Sequence, residues 1–230
     1  MISIKLEDNY FFADFDNPVP IYLQSQEDMA WTCFGIGTMR KRQLSKINGS
    51  VGCRCEEITF CPHANTTHLE TSAHALEDGI RPNDILHKIQ PLMPAYLSND
   101  LSKLPSSSDV KAVVYRSGVV WEASKRKCFD FTGTNPPFVT ESYIENAFRC
   151  FPNFKYLLVD LPSVDPESDG GELRCHKAFF NLGGVGIIEL CSIPNDVPTG
   201  QYALSINPVS LDSDAVPCAP ILYPLSRELK

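Results

Sequence analysis

Two apolar segments separated by a short helical segment constrain the fold more than any other feature of this 230-residue sequence. Residues 156–159 read Tyr-Leu-Leu-Val and residues 185–190 read Val-Gly-Ile-Ile-Glu-Leu, a composition typical of strands buried on both faces. Between them, residues 175–182 predict a short helix that is closed by Gly183 and Gly184 as its C-cap. A strand, a helix and a strand in succession predict a βαβ unit and therefore an α/β fold with a mixed, partly parallel sheet.

The remaining secondary structure is predicted from alternation, turn residues and helical spacing. Ile144, Ala147 and Phe148 fall at i, i+3 and i+4, which predicts a helix over 142–150. A mix of helix and loop is predicted over 81–96, and a surface loop over 101–109. Short strands are predicted at 2–6, 10–15, 21–23, 51–60, 113–115, 119–120, 202–206 and 221–225.

Composition excludes several classes of function. The net charge is −8 and the isoelectric point is near 5.1, so the sequence lacks the basic surface of a nucleic-acid-binding protein. No apolar run approaches the roughly 18 residues of a membrane span, and the first residues mix charge with apolar side chains, unlike a signal peptide. We therefore expect one cytoplasmic domain over residues 1–230 that binds a small-molecule substrate, with no nucleic acid or membrane partner.

The nine cysteines are scattered from Cys33 to Cys218, and their number is odd. Without an export signal, reduced and mostly buried thiols are expected. The densest group is Cys53, Cys55 and Cys61, followed by His63, and a structural zinc site there is an alternative. The paired spacing of zinc knuckles is missing, however, and a strand starting at Gly52 would place the first two thiols on one face as core residues.

Histidines are concentrated between residues 63 and 74, where three of the five in the chain lie. Such clusters usually indicate metal or proton chemistry. On a strand, His68 and Glu70 point the same way, about 6.6 Å apart at Cα, which suits two ligands of one ion. His74 can join them only if the chain turns after Glu70, and Thr71 and Ser72 are suitable N-cap residues for that turn.

His63 lies five residues before His68, an odd separation, so on one straight strand the two side chains would point to opposite faces. A bend is needed to bring His63 to the same site, and Asn65 is a residue that favours one. His63 is therefore either a ligand or a loop histidine.

The segment Thr67-His68-x-Glu70-x-Ser72-x-His74 resembles the second half of a known signature, His-x-Gly-Thr-His-x-Asp-x-Pro-x-His. This signature belongs to the metal-dependent cyclase superfamily, which contains bacterial kynurenine formamidases and isatin hydrolases. Residues 158–165 resemble the family's Gly-x-Asp-Thr-x-Ser-x-Asp segment, and 176–190 resemble the stretch with its late His and Glu. The resemblance covers nearly the whole chain, with the three motifs in the family's order.

This resemblance implies a single swivelling β/β/α domain that forms homodimers or homotetramers. It also implies one or two divalent ions per chain, Zn²⁺ or Mn²⁺. By position, His68 and Glu70 would be metal ligands and His74 the acid/base residue. His176 and Glu189 would complete the metal site, as further ligands or by contacting the ligands, and Glu189 lies in an apolar strand where an unpaired carboxylate is costly. Asp160 and Asp165 are expected to tie the neighbouring loop through hydrogen bonds.

The expected function is a metal-dependent hydrolase that cleaves a C–N bond of a formamide or a cyclic amide. The best single expectation is an arylformamidase, like the kynurenine formamidases of tryptophan catabolism. The sequence departs from the signature at its first histidine, which falls on Ala64 with His63 one place away. This departure motivates an alternative, a non-catalytic small-molecule-binding protein on the same scaffold with a degraded metal site.

Overall fold

A mixed β-sheet dominates the computed structural model, which describes residues 3–6, 9–24, 30–47 and 52–227. The strands, in chain order, are β1 Ser3–Leu6, β2 Asn9–Ala13, β3 Val19–Pro20, β4 Ala30–Thr32, β5 Arg40–Ser45, β6 Cys55–Thr59, β7 His68–Glu70, β8 Met93–Ser98, β9 Ala112–Tyr115, β10 Cys128–Asp130, β11 Tyr156–Val159, β12 Gly186–Glu189, β13 Gly200–Ser205, β14 Ala215–Pro217 and β15 Ile221–Ser226. The α-helices are α1 Pro62–Asn65, α2 Pro82–Ile85, α3 Val119–Ser124, α4 Glu141–Cys150 and α5 Arg174–Asn181. Short 3-10 helices cover Ser72–His74, Leu86–Lys88 and Glu167–Asp169.

The centre of the large sheet is parallel and its flanks are antiparallel. Its order is β1-β2-β15-β13-β8-β9-β11-β12-β7-β14, with β3 also paired to β15. The strands β8, β9, β11 and β12 run parallel to their neighbours in this series. The predicted βαβ unit is present as β11, α5 and β12, and Gly183 follows α5 in the left-handed region at φ +94°.

The central strands are buried on both faces because their alternate side chains enter two different cores. Leu157 and Val159 of β11 pack with the helices, in a cluster that holds Ile144 of α4 and Phe179 of α5. Leu158 points the other way, into a cluster of side chains from β7, β8, β13 and β15. Continuous apolar sequence is what a strand in this position requires.

The predicted α/β fold with a mixed sheet in a single domain is confirmed, and the strands at 156–159 and 185–190 and the helix at 142–150 are found within a few residues. Three local predictions are wrong. The 81–96 segment ends in a buried strand, β8, which was missed. Val119 and Val120 begin helix α3, because Gly118 turns the chain at φ +86° and its N–H donates to Asp160. The strand predicted at 21–23 is a single bridge from Tyr22.

The cysteine-rich segment also differs from its prediction. Cys53 and Cys55 are exposed beside the antiparallel pair of β5 and β6, which pairs with no other strand among the described residues, and they are not core residues. Four of the nine thiols are buried, so the expectation of mostly buried thiols is wrong. Residues 2 and 51, at the starts of two predicted strands, lie outside the described residues. Within the described part of the chain, no helix has the length and apolar character needed to cross a membrane.

Candidate metal centre

Strand β7 forms the base of the candidate site. It lies between β12 and β14, and its register pairs His68 with Glu189 and Glu70 with Ala215. The side chains of His68 and Glu70 are fully buried, and His68 Nε2 lies 3.9 Å from Glu70 Oε2. The predicted two-residue spacing on one strand therefore brings these two groups together.

His63 reaches the same site through one turn of helix. Helix α1 begins at Pro62, and Asn65 at its end accepts a hydrogen bond from the Cys61 backbone N–H at 2.9 Å. This turn supplies the bend that the odd separation of His63 and His68 requires. It places His63 Nδ1 3.4 Å from Glu70 Oε2, so His63 lies in the site and not in a remote loop.

His74 is brought back to the site by a tight turn after β7. A 3-10 helix, Ser72–His74, follows β7. The Ala73 N–H donates to the carbonyl oxygen of Ile80 at 3.2 Å, which joins this helix to the chain segment that follows it. His74 Nε2 lies 3.7 Å from Glu70 Oε2. Thr71 is the N-cap residue of this 3-10 helix, as predicted, but its hydroxyl donates to the carbonyl of Ile80 and does not cap a backbone N–H of the helix.

This turn depends on Gly79. A Cβ at that position would lie 2.2 Å from the carbonyl carbon of Ser72, far inside van der Waals contact. The close approach of the two backbone segments therefore requires glycine, although its φ is not in the left-handed region.

His176 and Glu189 enter the site from α5 and the end of β12. His176 Nε2 is hydrogen-bonded to Glu70 Oε1, and its Nδ1 lies 2.5 Å from Asp165 Oδ2. Glu189 Oε1 accepts the Val164 N–H at 2.7 Å, and its Oε2 lies 3.7 Å from His68 Nε2. All six predicted site residues are thus in one cluster, since both late residues adjoin the β7 pair.

Asp165 and Asp160 act as predicted, through hydrogen bonds. Asp165 accepts the backbone N–H groups of Cys175 and His176 at the start of α5, in addition to the imidazole contact. Asp160 accepts the backbone N–H groups of Ser117 and Gly118. Burial raises the pKa of Asp160 to about 7, against the opposing effect of these N–H donors.

Burial and neighbouring charges shift the pKa values of the site's side chains in opposite directions. Burial disfavours the protonated form of His63, but the nearby carboxylates of Glu70 and Asp214 outweigh it and raise its pKa to about 9. Burial and the neighbouring His63 lower the pKa of His68 to about 4. Burial and the charge of Glu70 raise the pKa of Glu189 to about 8.

Burial and neighbouring charges also oppose each other in the pair formed by Glu70 and His176. Burial opposes ionisation of Glu70, but the charge and hydrogen bond of His176 hold the pKa of Glu70 well below its usual range. Burial likewise opposes protonation of His176, and contacts with Glu70 and Asp165 raise its pKa well above the usual value. An ionised Glu70 among several imidazoles is the electrostatic centre of the cluster.

Two buried atoms of this cluster have no hydrogen-bond partner, His68 Nε2 and Glu70 Oε2. His68 Nδ1 donates to the Thr66 carbonyl at 3.0 Å, which leaves the lone pair on Nε2. A buried polar atom without a partner is costly, and imidazole nitrogen with carboxylate oxygen is the donor set of a divalent transition metal. The residues therefore fit a metal ion.

Two sets of potential ligand atoms overlap in the site. His63, Glu70 and His74 form one set, and His68, Glu70 and Glu189 form the other, with all atoms of a set within 4.8 Å of one another. Glu70 is common to both, so the donors suffice for one ion or for two. Neither set contains a cysteine, and within the described ranges no group with metal-ligand geometry uses Cys53, Cys55 or Cys61.

Asp214 is a site residue that sequence reasoning missed. Its Oδ2 lies 2.9 Å from His63 Nε2 and 3.2 Å from His74 Nδ1. It stands directly before β14, and only the pairing of Ala215 with Glu70 brings it here. Because that pairing joins residues far apart in the chain, local spacing carried no signal for Asp214.

A cavity of about 400 Å³ opens beside the histidines. Its lining combines His63, His74 and Glu189 of the cluster with the apolar side chains of Phe34, Ile36 and Leu173, and it also contains the carboxylates of Asp165, Glu167 and Asp169. This volume is within the range of small-molecule sites. Another cavity of about 420 Å³ is lined by three lysines and contains none of the predicted site residues, so the chemistry favours the first.

Comparisons with known proteins establish the fold. No family model and no curated protein matches the sequence. Among solved structures, a potential metal-dependent hydrolase with cyclase activity is similar at 18% identity and a TM-score of 0.63, over 90% of this chain and 97% of that one. Isatin hydrolase A from Labrenzia aggregata is similar at 13% identity and a TM-score of 0.65, over 90% and 93%.

A predicted metal-dependent hydrolase from Bacillus stearothermophilus is also similar, at 18% identity and a TM-score of 0.59, over 90% of this chain and 98% of that one. The coverage is nearly complete in both directions for all three structures. The chain therefore has the cyclase-like fold that the sequence motifs implied.

Proposed function

We propose that this chain is a metal-dependent hydrolase that cleaves the C–N bond of a formamide or a cyclic amide, with arylformamidase as the leading reaction. The observation that carries the proposal is the pair of buried, unpartnered atoms, His68 Nε2 and Glu70 Oε2, at the centre of a His/Glu cluster. The structural neighbours, which include a potential metal-dependent hydrolase and isatin hydrolases, support the same class of reaction.

Four residues would hold the ion: His68 and Glu70 of β7, Glu189 of β12, and His63. His176 adjoins both carboxylates and would hold a second ion or orient Glu70. A divalent metal supplies a Lewis acid, which acidifies water and polarises an amide carbonyl. Imidazole and carboxylate donors suit both Zn²⁺ and Mn²⁺.

His74 would move the proton that C–N cleavage requires. Its side chain is 23% exposed, and it lines the cavity, whereas His68 is fully buried. An imidazole at the cavity surface can take a proton from water at Nε2 and deliver it to the leaving nitrogen. An amine is a poor leaving group unless it is protonated, so this step is needed for either a formamide or a cyclic amide.

The cavity supports a substrate that combines an apolar ring with a polar amide. Phe34, Ile36 and Leu173 provide apolar surface in its lining, and His63, His74 and Glu189 provide polar groups of the candidate site. A substrate with an aromatic ring and one amide bond would place the ring against this apolar surface and the amide at the histidines.

The test is metal content followed by turnover. Purified wild-type protein and His68→Ala are compared by elemental analysis, and both are then assayed with N-formyl aromatic amines and with bicyclic aromatic lactams. We expect zinc or manganese in the wild type, loss of the metal in the variant, and hydrolysis by the wild type alone. A metal-loaded wild type without turnover on either amide class would contradict the proposal.

The alternative of a non-catalytic binding protein loses the observation that motivated it. The shifted first histidine suggested a degraded metal site, but His63 Nδ1 lies 3.4 Å from Glu70 Oε2. A protein that took up neither zinc nor manganese yet bound an aromatic amide would restore that alternative.

A further inference from the structure

Asp214 joins the two histidines at the open side of the site. One carboxylate oxygen, Oδ2, contacts both His63 Nε2 at 2.9 Å and His74 Nδ1 at 3.2 Å, and the two ring centroids are 4.4 Å apart. The Ser213 hydroxyl donates to the other oxygen at 3.2 Å. The three groups therefore form a chain of imidazole, carboxylate and imidazole.

The chemistry of a carboxylate decides where the protons lie. An ionised aspartate only accepts hydrogen bonds, so the nitrogens that face it, His63 Nε2 and His74 Nδ1, must carry hydrogen. In the neutral rings, the lone pairs are then on His63 Nδ1 and His74 Nε2. These are the two atoms that lie 3.4 and 3.7 Å from Glu70 Oε2.

We propose that Asp214 is a positioning residue that sets the orientation and the tautomer of both His63 and His74. This inference rests on the proposed function for the roles of the two histidines, one as ligand and the other as proton carrier. A metal-binding histidine binds the ion through one ring nitrogen and carries hydrogen on the other. A carboxylate that accepts a hydrogen bond from this N–H fixes the ring and makes the first nitrogen a stronger metal ligand. Here one carboxylate does this for two rings with different roles.

The position of Asp214 in the fold supports this role. Its neighbour Ala215 pairs with Glu70 in the sheet, so the register that places Glu70 also places Asp214. The Asp214 side chain is 50% exposed. Exposed ion pairs contribute little to the free energy of unfolding, and a merely structural role would therefore be weak.

The test compares Asp214→Asn with Asp212→Asn as a matched control. Asp212 lies two residues away, is 76% exposed and pairs with Arg81 outside the site, so its variant makes the same charge change on the same loop. Zinc affinity is measured by competition with a chelator, thermal stability by melting, and the ring tautomers by ¹⁵N NMR of the zinc-loaded proteins.

In Asp214→Asn we expect zinc affinity to fall by roughly 10- to 100-fold, the usual effect of losing an outer carboxylate partner. The ¹⁵N shifts of His63 or His74 should also change, because a neutral amide oxygen is a weaker acceptor for the two N–H groups than the carboxylate. The melting temperature should stay close to that of Asp212→Asn. Asp214→Glu, which keeps the charged acceptor, should recover part of the affinity.

Equal zinc affinity and unchanged ring shifts in Asp214→Asn and Asp212→Asn would overturn the inference while leaving the hydrolase proposal intact. The opposite failure is also distinguishable. If the wild type hydrolyses none of the amides but Asp214→Asn still weakens zinc binding and alters the ring shifts, the positioning role stands and the proposed reaction fails.

Discussion

Glu70 and His176, 106 residues apart in the sequence, are hydrogen-bonded at the centre of the candidate site. Glu70 is fully buried, and Asp165 holds the other side of the His176 ring. One oxygen of Glu70 is engaged by His176, and the other faces His63, His68 and His74 without a hydrogen-bond partner. Glu70 Oε1 is therefore held by a contact within the protein, and Glu70 Oε2 is left available to bind a metal ion.

Glu70→Gln should remove metal binding almost completely. The amide keeps the size of the side chain but lacks the negative charge that both sets of potential ligand atoms share. We expect a loss of zinc affinity larger than the roughly 10- to 100-fold caused by losing an outer partner. Calorimetric titration with zinc measures it, and Glu56→Gln on the exposed strand β6 is the control. Similar affinities in the two variants would show that Glu70 is not a ligand.

His68→Ala and His74→Ala should separate metal binding from proton transfer. His68 is fully buried with an unpartnered Nε2, so its loss should leave the protein without metal and without activity. His74 lies at the cavity, and its loss should keep the metal but lower kcat by about 10²- to 10⁴-fold, the range of general acid–base catalysis. Elemental analysis and steady-state kinetics on both variants check this. Full activity in His74→Ala would remove its assigned role.

Metal affinity should rise with pH up to about pH 9. The pKa of His63 is raised to about 9 and that of Glu189 to about 8, so in the metal-free protein both hold a proton at neutral pH. A ligand must lose that proton to bind metal, so lower pH opposes binding. Apparent zinc affinity should therefore change about tenfold or more per pH unit near pH 7. Affinity that is flat from pH 6 to pH 9, roughly the window these pKa values set, would contradict this.

Gly79→Ala should destabilise the protein and disturb the turn that carries His74. The added Cβ would meet the Ser72 backbone at 2.2 Å, and backbone atoms cannot move aside as a flexible side chain can. Overpacking of this kind costs about 1–3 kcal/mol. Gly37→Ala is the control, because an added Cβ there meets no atom within 4 Å. Denaturant unfolding of the two variants should show a loss of stability at position 79 alone.

Sequence patterns predicted the elements that depend on local periodicity. The apolar segments at 156–159 and 185–190 form strands that are buried on both faces, because each face enters a core. Burial on both faces requires a nearly continuous run of apolar residues, which is visible in the sequence. The two-residue spacing of His68 and Glu70 is equally local. For these residues the strand geometry alone determines that the side chains share a face.

Features that depend on long-range pairing were not predictable in the same way. Asp214 enters the site through the register of β14 on β7, and no spacing within its own segment indicates this. Helix α3 was predicted as a strand because Val119 and Val120 favour one. The carboxylate of Asp160, which accepts the N–H of Gly118, sets the turn that starts the helix instead. In both cases a distant residue decides the local structure.

The pairing of β7 with β12 and β14 also has a consequence for biosynthesis. On a growing chain, His63, His68 and Glu70 emerge from the ribosome long before Glu189 and Asp214, the groups that complete and orient the site. Until those late strands dock, the early histidines have no rigid frame, and an ion captured there would be held weakly. If the chain binds metal as proposed, we therefore expect the ion to bind only after folding, and zinc present during refolding should not accelerate the recovery of native structure.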